Sequence, residues 1–284
     1  MIPVAFDYLR PSTVDDAVRA LAEAGDEAKI IAGGQSLLPV LRLRLAAPSL
    51  VVDLGGMPQL AGVREEGDQL VIGAMTTHAE VASSPLVTRH APLLAQAAAS
   101  VGDRQVRHRG TLGGSLSHAD PAADLPAVAA ALDAEYVVNG QSGRRVVSAA
   151  QFAVDLFTTA LTPDEVLVEV RLPKLSGWGS HYEKFHRTSQ AWAIVGVAVA
   201  VRREDGAIGE ARVALTNMGP KPVRAVAVEA ALAGCAADAS AIAQACSAAA
   251  EGTEPVDDLS ASADYRRHLA RVLTARAICK AAGV

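Results

Sequence analysis

The chain has 284 residues, of which 50% are hydrophobic, 20% are charged and only 4% are aromatic, and its formal net charge is −5. Its length is enough for two domains, and its composition is typical of a globular protein. The negative charge argues against nonspecific binding of nucleic acid, which needs concentrated lysine and arginine, and the few aromatics argue against a stacking surface for single strands.

The first predicted unit, about residues 1–56, is a small α/β unit with parallel strands. Ser12 is the predicted N-cap of its first helix, because acidic residues follow in the first turn, and Gly25 ends that helix. The remaining predicted elements are a strand over 29–31, a glycine loop, a helix from Ser36 through Leu43, and a strand over 50–54.

The second predicted unit covers about residues 57–175 and contains another glycine loop. Thr77 and Glu80 form a capping-box pattern at the start of a helix. Asp124 starts a further helix that runs through Leu132. The other predicted elements are a strand over 70–74, a helix over 86–101, a hairpin of 135–138 with 144–147, and a strand over 166–172.

The third predicted unit, residues 176–284, follows the linker-like segment 173–179 and combines strand-like with Ala-rich helical stretches. Its strands are predicted over 180–185, 193–203 and 211–216, and its helices over 225–232, 239–250 and 263–281. All three cysteines lie here, and we expect them to be buried like small apolar residues: Cys235, Cys246 and Cys279.

The sequence predicts a cytoplasmic protein without a membrane span. No apolar run reaches the roughly 20 residues that a membrane helix needs. The longest, from Ala191 to Val201, has the length of a strand and stops at two arginines. The N-terminus has no basic region followed by an apolar core, so it is not expected to be a secretory signal.

Two loops of similar chemistry stand far apart in the sequence. Residues 30–36 read Ile-Ile-Ala-Gly-Gly-Gln-Ser, and residues 109–115 read Arg-Gly-Thr-Leu-Gly-Gly-Ser. Glycine lets the backbone approach a ligand closely or adopt a positive φ, and successive amides in such a turn can converge on an anion. The two loops predict two walls around one phosphate-bearing ligand, and our hypothesis is that this ligand is FAD.

Neither loop matches the familiar nucleotide fingerprints G-x-x-x-x-G-K-[ST] and G-x-G-x-x-G, although their chemistry suits a diphosphate. Ser36 and Ser115 follow the glycine pairs and could reach phosphate oxygens. Lys29 and Arg109 lie near the loops and could offset phosphate charge. The alternative is two tight strand-to-helix turns with no ligand.

Three further residues allow both a structural and a functional interpretation. Asp124 could cap its helix, or it could accept hydrogen bonds from ribityl or ribose hydroxyls. Trp192 could be a core or edge aromatic, or a ring at the edge of a flavin. His118 has no partner histidine or cysteine at ligand spacing, so we expect no metal site. No nucleophilic triad can be assembled, and we expect no catalytic residue in this chain.

The segment Ile31–Pro39, followed by Leu41–Leu45, resembles the first flavin loop of the molybdenum hydroxylases. Gln105–Ser115, continuing to Asp120–Asp124, resembles the second. The pattern is most similar to the medium, FAD-binding subunit of aerobic carbon monoxide dehydrogenase and of xanthine-dehydrogenase-type enzymes. The resemblance implies an α+β fold, with two α/β FAD-binding subdomains of the PCMH type over 1–175 and a C-terminal domain of a small antiparallel sheet plus helices over 176–284.

The resemblance also implies which residues contact FAD, which would lie between the two domains. Ala32 to Ser36 and Thr111 to Ser115 would carry the pyrophosphate, and Asp124 would contact a hydroxyl of the FAD chain. Trp192 falls where relatives often have Tyr beside the isoalloxazine. Gln35 stands where the carbon monoxide enzymes often have His. The complete implied set is Lys29, Ala32, Gly33, Gly34, Gln35, Ser36, Leu37, Thr111, Gly113, Gly114, Ser115, Asp120, Asp124, Leu167, Lys184 and Trp192.

The resemblance further implies a complex, a dimer of heterotrimers. A large subunit would hold the molybdopterin cofactor and bind substrate, and a small subunit would hold two [2Fe–2S] clusters that pass electrons to FAD and on to an external acceptor. Three cysteines fit this arrangement, because a cluster normally takes four thiolates. Two alternatives stay open: a stand-alone FAD-dependent oxidoreductase, and a nucleotide-binding or scaffolding subunit without a redox role.

Overall fold

The computed structural model describes residues 2–284, and its first sheet has three parallel strands in the order β1-β3-β2. The parallel pairing predicted for this unit is confirmed. Its first helix begins after Thr13 rather than Ser12, because the Thr13 hydroxyl accepts the amide of Asp16 at 3.1 Å. The elements are β1 (Asp7–Leu9), α1 (Val14–Ala24), β2 (Ala28–Ile31), α2 (Leu37–Arg42) and β3 (Leu50–Asp53).

The second sheet has five antiparallel strands in the order β4-β5-β10-β6-β7, and a two-stranded ribbon of β8 and β9 lies beside it. The capping box predicted at Thr77 is present. The elements are β4 (Val63–Glu66), β5 (Gln69–Gly73), α3 (His78–Ser83), α4 (Pro85–His90), α5 (Pro92–Ser100), α6 (Arg104–Arg107), α7 (Leu112–His118), α8 (Asp124–Ala131), β6 (Glu135–Gly140), β7 (Gly143–Ser148), α9 (Ala149–Phe152), β8 (Ala153–Asp155), β9 (Thr158–Thr159) and β10 (Val166–Pro173).

Two predicted elements in this unit differ from the observed ones. The helix predicted over 86–101 is two helices, α4 and α5, which are separated at Ala91. The break is caused by Pro92, which disfavours helical backbone at the preceding residue and has no amide to donate. The predicted hairpin has longer strands and a shorter turn, because Gly140 and Gly143 still pair and only two residues connect them.

The third sheet is antiparallel, in the order β11-β12-β13-β14, and helices cover it. The expected small antiparallel sheet plus helices is therefore confirmed. Cys246 is buried as predicted, whereas Cys235 and Cys279 are half-buried. The elements are β11 (Gly179–Phe185), β12 (Val195–Glu204), β13 (Ala207–Thr216), β14 (Val223–Arg224), α10 (Val226–Leu232), α11 (Ala239–Ala245) and α12 (Ala263–Ala282).

Strand β12 is buried on both faces, because it lies between two cores. Val197 and Val199 belong to the core that includes the apolar face of α12. Ala198 belongs instead to the core that includes α8, a helix whose eight residues are all buried. Small side chains on that face of the strand let α8 come close. Tyr182 of β11, the register partner of Ala198, consequently reaches the start of α8.

Candidate functional site

The two glycine loops, far apart in sequence, are packed directly against each other. A Cβ added at Gly33 would overlap the carbonyl oxygen of Arg109 and lie 2.7 Å from the Cα of Gly110. A Cβ at Gly113 would lie 2.6 Å from the Cβ of Ala74. The missing side chains of Gly33 and Gly113 thus allow segments of the protein to pack closely together. Gly34, with φ +73°, does adopt the predicted positive φ.

A continuous cleft runs along the two loops and consists of two cavities. The first has a volume of about 530 Å³ and the second about 270 Å³. This range is typical of sites for small molecules and cofactors. The cavities share residues of both glycine loops and of α7, so each loop faces both ends of the cleft: Ala32, Ser36, Leu37, Gly114 and His118.

The loops differ in the backbone donors that they offer. At the second loop, the four amides from Leu112 to Ser115 all donate within the protein, to Thr76, Ala74 and Thr111. At the first loop, the amides from Gly34 to Leu37 have no acceptor within residues 2–284. The unused amides that could bind an anion belong to the first loop.

A buried ion pair lies at the second cavity. Asp124 is the first residue of α8, and the N-cap of that helix is Ala123. Asp124 therefore does not cap the helix, as one interpretation of the sequence had predicted. Its carboxylate accepts hydrogen bonds from Lys184 Nζ at 2.7 Å and from the Tyr182 hydroxyl at 2.6 Å. Asp124 and Lys184 both line the cavity. Burial raises the pKa of Asp124, and the ammonium of Lys184 opposes this shift. The side chains of the pair are only 4% and 6% exposed, so the pair presents a fixed arrangement of charge to the cleft.

His78 is a residue of the second cavity that the sequence indicated only as the start of a helix. It is 4% exposed and lines the cavity. Its ring packs against Gly110 so closely that a Cβ added to Gly110 would lie 2.8 Å from it. Its Nδ1 has no partner within residues 2–284. Burial, assisted by the charge of Arg107, lowers the pKa of His78 to about 4. His78 is therefore neutral at pH 7.

We expect the free energy of unfolding to fall as the pH is lowered from 6.5 towards 4. The pKa of His78 is about 4 in the folded chain and 6.5 in the unfolded chain, so the unfolded chain takes up the proton first as the pH falls. The contribution of His78 to the free energy of unfolding is therefore complete only above pH 6.5. The loss approaches about 3 kcal/mol at the acid end, since one pKa unit corresponds to about 1.4 kcal/mol. Urea unfolding between pH 7 and 4 measures it. His78→Leu should flatten this slope, whereas the exposed His268→Gln should not; an unchanged slope in His78→Leu contradicts the assignment.

The remaining predicted contacts fall into two groups by position. Those that line the first cavity include Lys29, Leu167 and Gly113, and those that line the second include Thr111, Ser115, Gly33, Gly34, Gln35 and Trp192. Gln35 also donates to the carbonyl of Gly33 at 3.3 Å. Trp192 is 58% exposed, so it is not a core residue.

Two residues singled out in the sequence line neither of these two cavities. Asp120 accepts the amide of Ala122 at 2.8 Å and lines a separate small cavity beside Phe152. Arg109 lines a further cavity together with Arg10 and with Ala32 and Gly33 of the first loop.

Within residues 2–284, no group of three His, Cys, Asp or Glu side chains could hold a metal ion. His118 instead packs its ring 5.2 Å from that of Phe157. In the same part of the chain, no helix combines the length and apolarity that crossing a membrane requires.

Two family models match this chain, and together they cover most of it. The family model described as "FAD binding domain in molybdopterin dehydrogenase" matches residues 4–175, and the one described as "CO dehydrogenase flavoprotein C-terminal domain" matches residues 180–281.

Relatives match over nearly the full chain. The carbon monoxide dehydrogenase medium chain of Hydrogenophaga pseudoflava is 42% identical, over 98% of this chain and 97% of the relative. The 6-hydroxypseudooxynicotine dehydrogenase complex subunit alpha of Paenarthrobacter nicotinovorans is 39% identical, over 99% and 96%. A solved structure of the Hydrogenophaga pseudoflava carbon monoxide dehydrogenase matches with a TM-score of 0.97 and 44% identity, over 99% of this chain and 98% of that chain. The chain therefore belongs to the family of FAD-binding medium chains of carbon monoxide dehydrogenase and related molybdenum hydroxylases, and it is an oxidoreductase subunit.

Proposed function

We propose that this chain is the electron-transfer flavoprotein of a molybdenum hydroxylase complex. Electrons would arrive from [2Fe–2S] clusters of a small subunit and leave to an external acceptor, while a large subunit with the molybdenum cofactor would bind substrate. When bound, FAD supplies the redox chemistry, and the protein binds, orients and electronically tunes it. The observation that carries the proposal is the single cleft formed where the two glycine loops meet.

The residues of the cleft fit an elongated dinucleotide. The unused amides of Gly34 to Leu37 belong to residues that line the second cavity, and Ser36 and Leu37 also line the first, so these amides suit a diphosphate between the two. The hydroxyl of Ser36 makes no capping hydrogen bond, so it is available as a further donor. We assign these groups to binding of the pyrophosphate. The second loop would mainly form the wall of the cleft opposite the first loop.

The two cavities differ in the groups that they offer. We assign the first cavity, with Lys29 and Leu167, to the nucleotide half of FAD. We assign the second, with Lys184, Asp124 and Trp192, to the isoalloxazine half. Because Asp124 already accepts hydrogen bonds from Lys184 and Tyr182, its main role here is to hold the Lys184 ammonium at the cavity.

The names of relatives support the assembly part of the proposal. One relative is the "medium chain" of carbon monoxide dehydrogenase and another is a "complex subunit", so both are components of larger enzymes. The two enzymes are named for chemically unrelated substrates. We therefore place substrate binding on a partner subunit, and we propose a dimer of heterotrimers. The division into domains over 1–175 and 176–284 and the cytoplasmic location stay predictions.

We expect the purified full-length chain to carry FAD and to show no substrate turnover alone. Adding the small and large subunits of its own complex should give substrate-dependent bleaching of the flavin absorbance. The physical reason is that this chain supplies a cofactor cleft, while substrate binding and the iron–sulfur relay would be supplied in trans. Turnover of an organic substrate by the isolated chain would favour the stand-alone oxidoreductase, and a chain that binds no flavin would favour the scaffolding role.

A further inference from the structure

Asn217 joins two segments that are distant in sequence and that border the second cavity. Its backbone amide donates to the carbonyl of Pro121 at 2.8 Å. Its side-chain Nδ2 donates to the carbonyl of Ala193 at 2.7 Å. The first segment continues into Asp124 and the second follows Trp192, and both of these residues line the cavity. One residue therefore connects two parts of the same wall.

The backbone conformation of Asn217 makes this double contact possible. Asn217 directly follows β13 and has φ +61°, in the left-handed region. Asn is one of the few residues other than Gly that adopt this conformation readily. The strand ends sharply there, and the amide and the side chain donate to different segments.

A second buried group holds the same stretch of backbone. The guanidinium of Arg266, which is 1% exposed, donates to the carbonyl of Ile194 and pairs with Asp258 at 2.5 Å. Ala193 and Ile194 are buried, whereas Trp192 is 58% exposed. These contacts fix the backbone from which the Trp192 side chain extends, while little protein packs around the ring itself.

We propose that Asn217 is a positioning residue for the flavin end of the cleft, which fixes Trp192 relative to Asp124 and its partner Lys184. Asn217 is not among the residues that line either cavity, so it acts through its contacts with the carbonyls of Pro121, Ala193 and, at 3.4 Å, Ile194. This inference rests on the proposed function, because it assigns the second cavity to the isoalloxazine.

The test is Asn217→Gly in the full-length chain. Glycine keeps the left-handed backbone and the amide that donates to Pro121, and it removes only the Nδ2 donor. The matched control is Asp205→Gly, which changes another left-handed residue (φ +48°) at the opposite end of the β12–β13 hairpin. The readouts are the Kd for FAD, the visible circular dichroism of the flavin at saturating FAD, and the thermal midpoint without FAD.

We expect Asn217→Gly to weaken FAD binding about tenfold, which corresponds to about 1.4 kcal/mol, and to change the circular dichroism of the saturated flavin. Asp205→Gly should leave both as in the wild type. A wild-type Kd and spectrum in Asn217→Gly overturn the inference, and so does a lower thermal midpoint with an unchanged spectrum, since that marks a purely structural role. If the wild-type chain binds no FAD, the proposed function itself fails; if only the Asn217 effect is missing, the proposed function stands.

Discussion

Gly33→Ala is expected to weaken FAD binding by at least about 100-fold, or about 2.7 kcal/mol. The added Cβ would overlap the backbone of Arg109 and Gly110, which cannot turn aside as a flexible side chain could. The two glycine loops must then separate, and overpacking of this kind typically costs about 1–3 kcal/mol of stability as well. Separation would move the unused amides of the first loop away from the opposite wall of the cleft. Fluorescence titration of the deflavinated chain with FAD measures the effect.

Gly219→Ala is the matched control for this substitution. A Cβ at Gly219 would come no closer than 3.3 Å to any atom, the nearest being a methyl group of Val223, so the contact is far less severe than the one at Gly33. We expect its FAD affinity to stay within about twofold of the wild type, or about 0.4 kcal/mol. An affinity in Gly33→Ala as close to the wild type as this would show that the loops need not touch to hold the cofactor.

The second large expected effect is on the free energy of unfolding, and it comes from the ion pair of Asp124 and Lys184. Removing either partner alone, as in Asp124→Leu or Lys184→Met, should lower the free energy of unfolding by about 3–5 kcal/mol. Each single change leaves a buried charge without its partner, since the side chains are only 4% and 6% exposed. The double variant should lose much less than the sum of the two, because no uncompensated charge remains. Urea unfolding of all four proteins completes the cycle.

Tyr182→Phe is the control for this cycle. It removes a hydrogen bond to the same carboxylate, at 2.6 Å, without removing a charge. Its expected cost is about 1.5–3 kcal/mol, because the acceptor is a charged group. Lys184→Met should also weaken FAD binding, because Lys184 lines the second cavity, whereas Tyr182 does not. Strictly additive losses in the cycle would mean that the two charges do not depend on each other in the folded chain.

Local signals in the sequence predicted most of the elements. The capping box at Thr77, the strand over 166–172 and the long C-terminal helix all depend on residues within a few positions of one another. Local reasoning failed where two signals competed. The apolar residues of 86–101 favoured one helix, but Pro92 breaks it, and Thr13 rather than Ser12 caps α1 although both carry hydroxyls.

The same distinction applies to the cleft. Both glycine loops were recognised in the sequence, and most of the residues implied by the resemblance line one of the two cavities. Asp120 does not, since it lines a separate small cavity beside Phe152. His78 and Asn217 were missed, because their importance depends on distant partners: the second loop for His78, and the carbonyls of Pro121 and Ala193 for Asn217.

By itself, the sequence determined the family of this protein, because the order and chemistry of two short loops are specific even without coordinates. It also determined the individual helices and strands, whose signals are local. Only the tertiary structure decided which role each loop has. Gly33 and Gly113 make room for protein backbone, the first loop keeps unused amides, and Asp124 pairs with Lys184. Such roles depend on which atoms are neighbours in space, and close packing brings together residues whose spacing along the chain carries no signal.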